Sequence, residues 1–241
     1  MLYTRLSIIL ALALASVGAA SADIWSPGDL TTYTQASWGG DPSLPDPGAV
    51  LLVAKYDTVF ASTFGIVTVG SSSGFTMSFT DAASVLAYLP SIGPFAPLNG
   101  SSLNPISTGS GGFGGEVMGL ELNVAFSDAG FLPGSSGLRF GDLVLTNFTP
   151  LISPFNGLTV RQFLGDMNIL LGGGSTVFTI ADLGTAIQDL NSSFADGTPL
   201  PFAQNHLVAP TSTSAAPEPS SWLILTSPVL GAEWIRRLRR R

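Results

Sequence analysis

The chain has 241 residues, of which 45% are hydrophobic and only 10% charged, with 28 Gly, 17 Pro, one His and no Cys. High hydrophobicity with low charge excludes an ordinary disordered chain, and the length allows one domain of usual size or two small ones. The absence of Cys excludes disulfide scaffolds, thiolate metal sites and thiol catalysis, and a single His excludes polyhistidine metal centres.

The charge is unevenly placed. Arg5 stands near the N-terminus, and Arg236, Arg237, Arg239, Arg240 and Arg241 end the chain. Between them lie only Lys55, Arg139 and Arg161 against fifteen acids from Asp23 to Glu218, a net of about −12 that the formal total of −7 conceals. Such a body lacks the clustered Lys and Arg that phosphate contacts need, so nucleic acid is excluded as a partner. Anionic lipid headgroups are excluded on the same ground.

In chain order, the first element is an export signal. Arg5 forms a short basic region, Leu6 to Val17 is almost wholly apolar, and Ala20-Ser21-Ala22 has the small-x-small pattern of a signal-peptidase site. Residues 1–22 read as a signal peptide cut after Ala22, the alternative being an uncleaved anchor helix. Residues 23–209 then read as a single exported α+β domain, β-rich at its N-terminal end with several short helices in its C-terminal half.

Within that domain, the sequence DPSLPDPG from Asp41 to Gly48 reads as a turn-rich loop. Val50 to Val53 and Tyr56 to Phe60 are apolar or β-branched and read as strands. Phe64 to Val69 and Phe75 to Phe79 alternate about Gly70-Ser71-Ser72-Ser73-Gly74, which predicts a hairpin with Phe75, Met77 and Phe79 on one face. Ala82, Val85, Leu86 and Leu89 predict a short helix capped by Asp81 and stopped by Pro90. A Gly/Ser/Pro/Asn connection runs from Pro94 to Gly115. Glu116 to Ser127 suits either a strand or a buried helix, and helix is the reading adopted. Leu143 to Phe148 reads as a strand. Thr159-Val160-Arg161-Gln162 is a capping box with Leu158 and Phe163 as its hydrophobic staple. It opens a helix whose stripe is Val160, Phe163, Leu164, Met167, Leu170 and Leu171, ended by Gly172-Gly173-Gly174. A second helix starts at Thr179 with the stripe Ile180, Leu183, Ile187, Leu190 and Phe194, closed by Asp196-Gly197.

The C-terminus has three parts. Residues 210–221, PTSTSAAPEPSS, form a Pro/Ser/Thr linker that contains Pro217, Glu218 and Pro219. Residues 222–235 form a short apolar membrane segment, and residues 236–241 an Arg-rich cytoplasmic tail that acts as a stop-transfer signal. This order of tripeptide, membrane segment and basic end resembles the PEP-CTERM sorting signal of Gram-negative bacteria. The resemblance implies export by the secretion translocon, cleavage by signal peptidase, and handling by an exosortase, a transpeptidase-like enzyme of the inner membrane. It further implies transient inner-membrane anchoring, then residence at the cell surface or in the extracellular matrix of a biofilm, with exopolysaccharide as a candidate partner. The segment departs from the family pattern in containing Pro228, Glu233 and two Trp, and its 14 or so residues fall short of the roughly 20 that span a bilayer. The alternative reading is an amphipathic basic helix. The segments LLVAKYDTVFASTFGIVTVG, LELNVAFSDAGFLPGSSG and GLTVRQFLGDMNILLGGGS also resemble the body of uncharacterised exported bacterial proteins.

Candidate catalytic groups each have a bland reading beside them. Gly70 to Gly74 matches the G-x-S-x-G nucleophile elbow, yet it joins two strands rather than a strand and a helix. Gly109 to Gly114 matches G-x-G-x-x-G without a preceding strand. His206 is the sole imidazole, and a surface or loosely packed position is expected for it. Glu116, Glu121 and Asp128 could supply paired carboxylates for glycoside hydrolysis. No EF-hand loop is present, though the many Asp residues leave calcium open. Sequons begin at Asn99, Asn147 and Asn191. The sequence therefore predicts no catalytic residues, no cofactor and no resident metal. It predicts a non-enzymatic surface or matrix protein, the alternative being a secreted Asp/Glu-dependent hydrolase acting on polysaccharide.

Overall fold

The computed structural model describes residues 26–132, 134, 137–148, 153–176 and 178–210. The signal-peptide residues Ala20 and Ala22, the motif Pro217-Glu218-Pro219, the segment 222–235 and the terminal arginines lie outside the described residues. Among the described residues no helix is long and apolar enough to cross a membrane.

The fold is α+β but dominated by helix, which accounts for 47% of it against 9% strand. Two helices precede the first strand: α1 (Gln35–Trp38) and α2 (Pro47–Val59). The β-rich start expected from the sequence is therefore corrected, since Val50 to Val53 and most of Tyr56 to Phe60 lie in α2. Pro47 at the first helical position presets the helical φ. Ala49, Leu52 and Tyr56 then fall on one buried face at helical spacing. Val50 and Val53 point outward at 44% and 52% exposure, and these solvent-facing β-branched residues are what imitated a strand.

The predicted hairpin is present. β1 (Val67–Gly70) pairs antiparallel with β2 (Thr76–Phe79), Val67 facing Phe79 and Val69 facing Met77. Met77 and Phe79 are fully buried on one face, whereas Phe75 lies before the strand and is exposed. The turn rests on the end of a later helix, the Phe75 amide donating to the Gly172 carbonyl at 2.9 Å. The short helix α3 (Ala82–Tyr88) follows as expected, its Asp81 carboxylate accepting from the Ser84 amide at 2.7 Å. The long connection after it contributes β3 (Ser102–Leu103), which joins β2 in parallel.

At the centre runs α4 (Gly112–Asp128), the helical reading of the ambiguous segment. Thirteen of its 17 residues are buried, so it has no polar stripe. A helix enclosed all round shows no amphipathic period, and this is why alternation and helix fitted its sequence equally. Neighbouring elements α1, α5 (Val160–Leu171) and α6 (Ile180–Ser192) pack around it. α5 carries the predicted capping box, with Thr159 accepting from the Gln162 amide and the Gln162 side chain accepting from the Thr159 amide. Leu183, Ile187, Leu190 and Phe194 of the α6 stripe are buried. The expected strand at 143–148 reduces to β4 (Val144–Leu145), paired antiparallel with β5 (Leu207–Val208), which directly follows α7 (Pro201–His206). Trp38 anchors the core, its ring 4.9 Å from Phe126 and 5.3 Å from Tyr33. The Tyr56 hydroxyl donates to the Phe79 carbonyl at 2.7 Å and ties α2 to the sheet.

Candidate functional site

The acids singled out from the sequence stand on α4 in three different environments. Glu116 is buried, and both carboxylate oxygens accept from amides: Gln35 Nε2 at 2.6 Å and Asn191 Nδ2 at 2.8 Å. Gln35 in turn accepts from the Ser91 amide at 3.0 Å. Asn191 accepts from Asn123 at 3.1 Å, and Asn123 also donates to the Tyr33 carbonyl and accepts from the Tyr33 amide, both at 2.8 Å. The Trp38 indole donates to the same Asn123 oxygen at 3.3 Å. This network binds the segment before α2, the central helix and α6 through polar groups with their partners in place, the condition for burying them without large cost. Glycines make room for it: a Cβ at Gly115 would overlap the Gln35 carboxamide oxygen.

Asp128, at the far end of α4, holds Arg161 of α5 through two bonds of 2.7 and 2.9 Å. Asp142 adds a third at 3.2 Å. Two acids thus share one guanidinium, whose proton affinity rises above its ordinary value chiefly through the hydrogen bond to Asp128. Glu116 and Asp128 thus each have hydrogen-bonding partners of their own. Glu116 and Glu121, five residues apart, lie on different faces of the helix. Glu121 and Asp128 are about 10 Å apart along its axis at ~1.5 Å per residue.

Glu121 is the exceptional acid. It lines a pocket of about 340 Å³ with Phe60, Thr63, Ile66, Val67 and Thr68, where the turn after α2 meets strand β1. No hydrogen bond or ion pair to its carboxyl is found among the described residues. The side chain keeps a partial opening to solvent through the pocket mouth, but it is set deep in the body. Loss of water raises its pKa to about 7, with Arg161 opposing the rise and Asp128 adding to it. A lone carboxyl in an apolar hollow, holding its proton near neutrality, is a recognised mark of a functional position.

The β1 edge contributes to the same hollow. Val67 and Val69 face their β2 partners, and the Gly70 amide turns away to donate to Asn168 at 2.8 Å. The alternation of the antiparallel ladder then puts the Thr68 amide and carbonyl on the outer edge. Beside the pocket, Phe64 is 95% exposed and sits in the left-handed region at φ 58°.

His206 is less loosely placed than the sequence suggested. Its Nδ1 donates to the Thr146 carbonyl at 3.0 Å, and its ring stacks on Phe148 at 5.0 Å and leans on Phe202 at 4.9 Å. It shares a surface cleft of about 430 Å³ with Asp189 and Ser192. The Asp189 carboxyl is pushed up by burial and drawn back by His206. The Ser192 hydroxyl donates to the Gln188 and Asp189 carbonyls, at 3.1 and 3.2 Å, so no nucleophile–base hydrogen bond joins it to the imidazole.

The glycine motifs resolve as packing devices. Gly111, at φ 55°, is the N-cap of α4, and a Cβ at Gly112 would meet the Phe95 ring at 2.7 Å. The helix start is thereby covered rather than open to a phosphate. Asn191, the third sequon, is fully buried within the network. Among the described residues no group of three or more His, Asp or Glu could hold a metal ion.

The sequence had placed Glu121 among its acids but had no signal for its pocket, because Phe60, Thr63, Ile66 and Thr68 come from a turn and a strand some 55 residues away. Comparison with protein-family models, with curated proteins and with solved structures finds no match for the chain.

Proposed function

We propose that the protein is an exported, non-enzymatic surface or extracellular-matrix component, addressed by its C-terminus. The observation that carries this reading is the order of Pro217-Glu218-Pro219, the apolar segment 222–235 and the terminal arginines, together with the signal-peptide pattern ending at Ala22. On this reading an exosortase acts on the extended tripeptide after the translocon and signal peptidase have acted on the other end. Each Pro disfavours helix at the residue before it, a local preference that suits recognition of the tripeptide in extended form. The state of the acids in the body is in keeping with a binding or structural role: Glu116 is saturated by amides and Asp128 is engaged by Arg161.

The test is replacement of Pro217-Glu218-Pro219 by three alanines, followed by cell fractionation and mass spectrometry of both mature ends. Unprocessed protein should accumulate in the inner-membrane fraction, and the N-terminus should be Asp23. A variant processed and exported like the wild type would overturn the reading.

Glu121 favours a second reading, a polysaccharide hydrolase in which this carboxyl acts as general acid. Such an enzyme needs a partner carboxylate about 5 to 9.5 Å away. The acid whose charge reaches Glu121 most strongly is Asp128, which is held by Arg161. Release of reducing ends from exopolysaccharide by the wild type, abolished in Glu121→Gln, would establish this alternative.

A further inference from the structure

We propose that the Glu121 pocket is a binding site for an aliphatic primary amine. The inference does not depend on the sorting signal and would stand if that reading failed.

The pocket is mostly hydrocarbon, formed by Phe60, Ile66 and Val67, and suits a short alkyl chain. Its polar groups are chiefly acceptors. Glu121 contributes a carboxylate without a hydrogen bond among the described residues, and the Thr68 carbonyl lies on the open edge of β1. The single proton of the Thr63 hydroxyl is taken by the Ile66 carbonyl at 2.6 Å or the Phe60 carbonyl at 3.0 Å, which leaves its oxygen to accept. An ammonium group has three donors and no acceptor, and so matches this set. A carboxylate or phosphate would face the like charge of Glu121, with the Thr68 amide as its backbone donor on that edge.

Among the described residues none of the three basic side chains lines this pocket. Of the three basic residues in the body, Arg161 is bonded to Asp128 and Asp142, and Lys55 lies over the Phe131 ring at 5.0 Å. Arg139 lines a separate cleft with Asp29 and Asp128. The long-range field favours a cation too, because the body carries a net charge of about −12.

Two sources share this chemistry, a free alkylamine and the lysine side chain of another protein. The experiment uses the exported domain in its full-chain context, titrated with n-hexylamine and with N-acetyl-lysine N-methylamide, while hexan-1-ol and hexanoate serve as controls. Calorimetry above pH ~8, where Glu121 is ionised, should detect saturable binding of one or both amines. Hexanol should bind at least about tenfold more weakly and hexanoate not at all. Glu121→Gln keeps the shape but removes the charge, and should lower amine affinity about tenfold or more while melting no lower than the wild type. Near pH 7 the wild-type complex should release a proton, read as a dependence of the enthalpy on the buffer's ionisation heat. Binding of only the lysine analogue would assign the pocket to a protein partner, and binding of hexylamine a free amine. No saturation by about 20 mM of either amine, equal binding of hexanoate, or undiminished binding by Glu121→Gln would overturn the proposal.

Discussion

Glu121 makes the stability of this protein depend on pH in a direction opposite to that of most acids. Its folded pKa is raised to about 7 from an ordinary 4.5. The folded state therefore holds its proton more tightly than the unfolded chain. The associated stability is complete below about pH 4.5 and is lost as the pH rises through about 7. At ~1.4 kcal/mol for each tenfold change in proton affinity, the interval corresponds to about 3 kcal/mol as an upper bound. The opening of the pocket to solvent reduces this, and ~1–3 kcal/mol is the expected range. Glu121→Gln retains the shape and removes the titration. Urea denaturation of both proteins between about pH 4.5 and 8.5 measures the effect, because the difference between them cancels every other titrating group. The variant should gain on the wild type by ~1–3 kcal/mol across the range, most of it between about pH 4.5 and 7. A difference that stays flat with pH would mean that the carboxyl is well solvated, and the account of the pocket would fail with it.

Three further outcomes are expected. Gly115→Ala should lower stability by ~1–3 kcal/mol, since its methyl would displace a Gln35 side chain held by both Glu116 and Ser91, whereas Gly119→Ala, whose nearest neighbour is Asn191 Nδ2 at 3.3 Å, should change it by less than about 1 kcal/mol; equal melting temperatures would refute the packing argument. Phe64→Asn should raise stability by about 0.5–1 kcal/mol in thermal melts, because Asn tolerates the left-handed backbone and an exposed Phe gives up no packing. Leu183→Ala should cost ~2–5 kcal/mol and Thr159→Ala ~1 kcal/mol, and a Leu183→Ala protein unfolding at the wild-type midpoint would place that stripe in solvent.

What could be seen in the sequence was what is specified locally. The capping box at Thr159, the Asp81 cap and the turn at Gly70 to Gly74 each depend on residues within a few positions, and each recurs in the structure. α2 was misjudged because Val50 and Val53 spend apolar side chains on solvent, which hides the stripe of Ala49, Leu52 and Tyr56. α4 was ambiguous for the opposite reason, having no solvent face to break the pattern. The polar network was invisible, since Gln35, Asn123 and Asn191 are 68 to 156 residues apart from one another and match no motif. Glu116 and Glu121 looked alike as two acids on an otherwise apolar segment, and only tertiary contacts separate them.

That separation bears on why Glu121 is there at all. Five residues earlier on the same helix, the fold encloses Glu116 and brings two carboxamides to its oxygens from α1 and α6. The fold thus satisfies a buried acid completely without using one of the three basic side chains of the described body. At Glu121 it does not, although Thr63 and Thr68 stand in the same pocket and a Gln or Asn at either position is a small change in size. An unpartnered carboxyl in apolar surroundings costs stability that Gln or Leu at this position would not. The cost is also confined to one side chain, while Phe60 and Val67 in the surrounding wall are buried. A defect of packing would relax into its neighbours, because core side chains shift to fill space. An acid kept short of donors beside an open hollow instead preserves an unmet demand for a cation, and an incoming ammonium group can meet it where the chain's own Lys55, Arg139 and Arg161 are engaged or placed elsewhere.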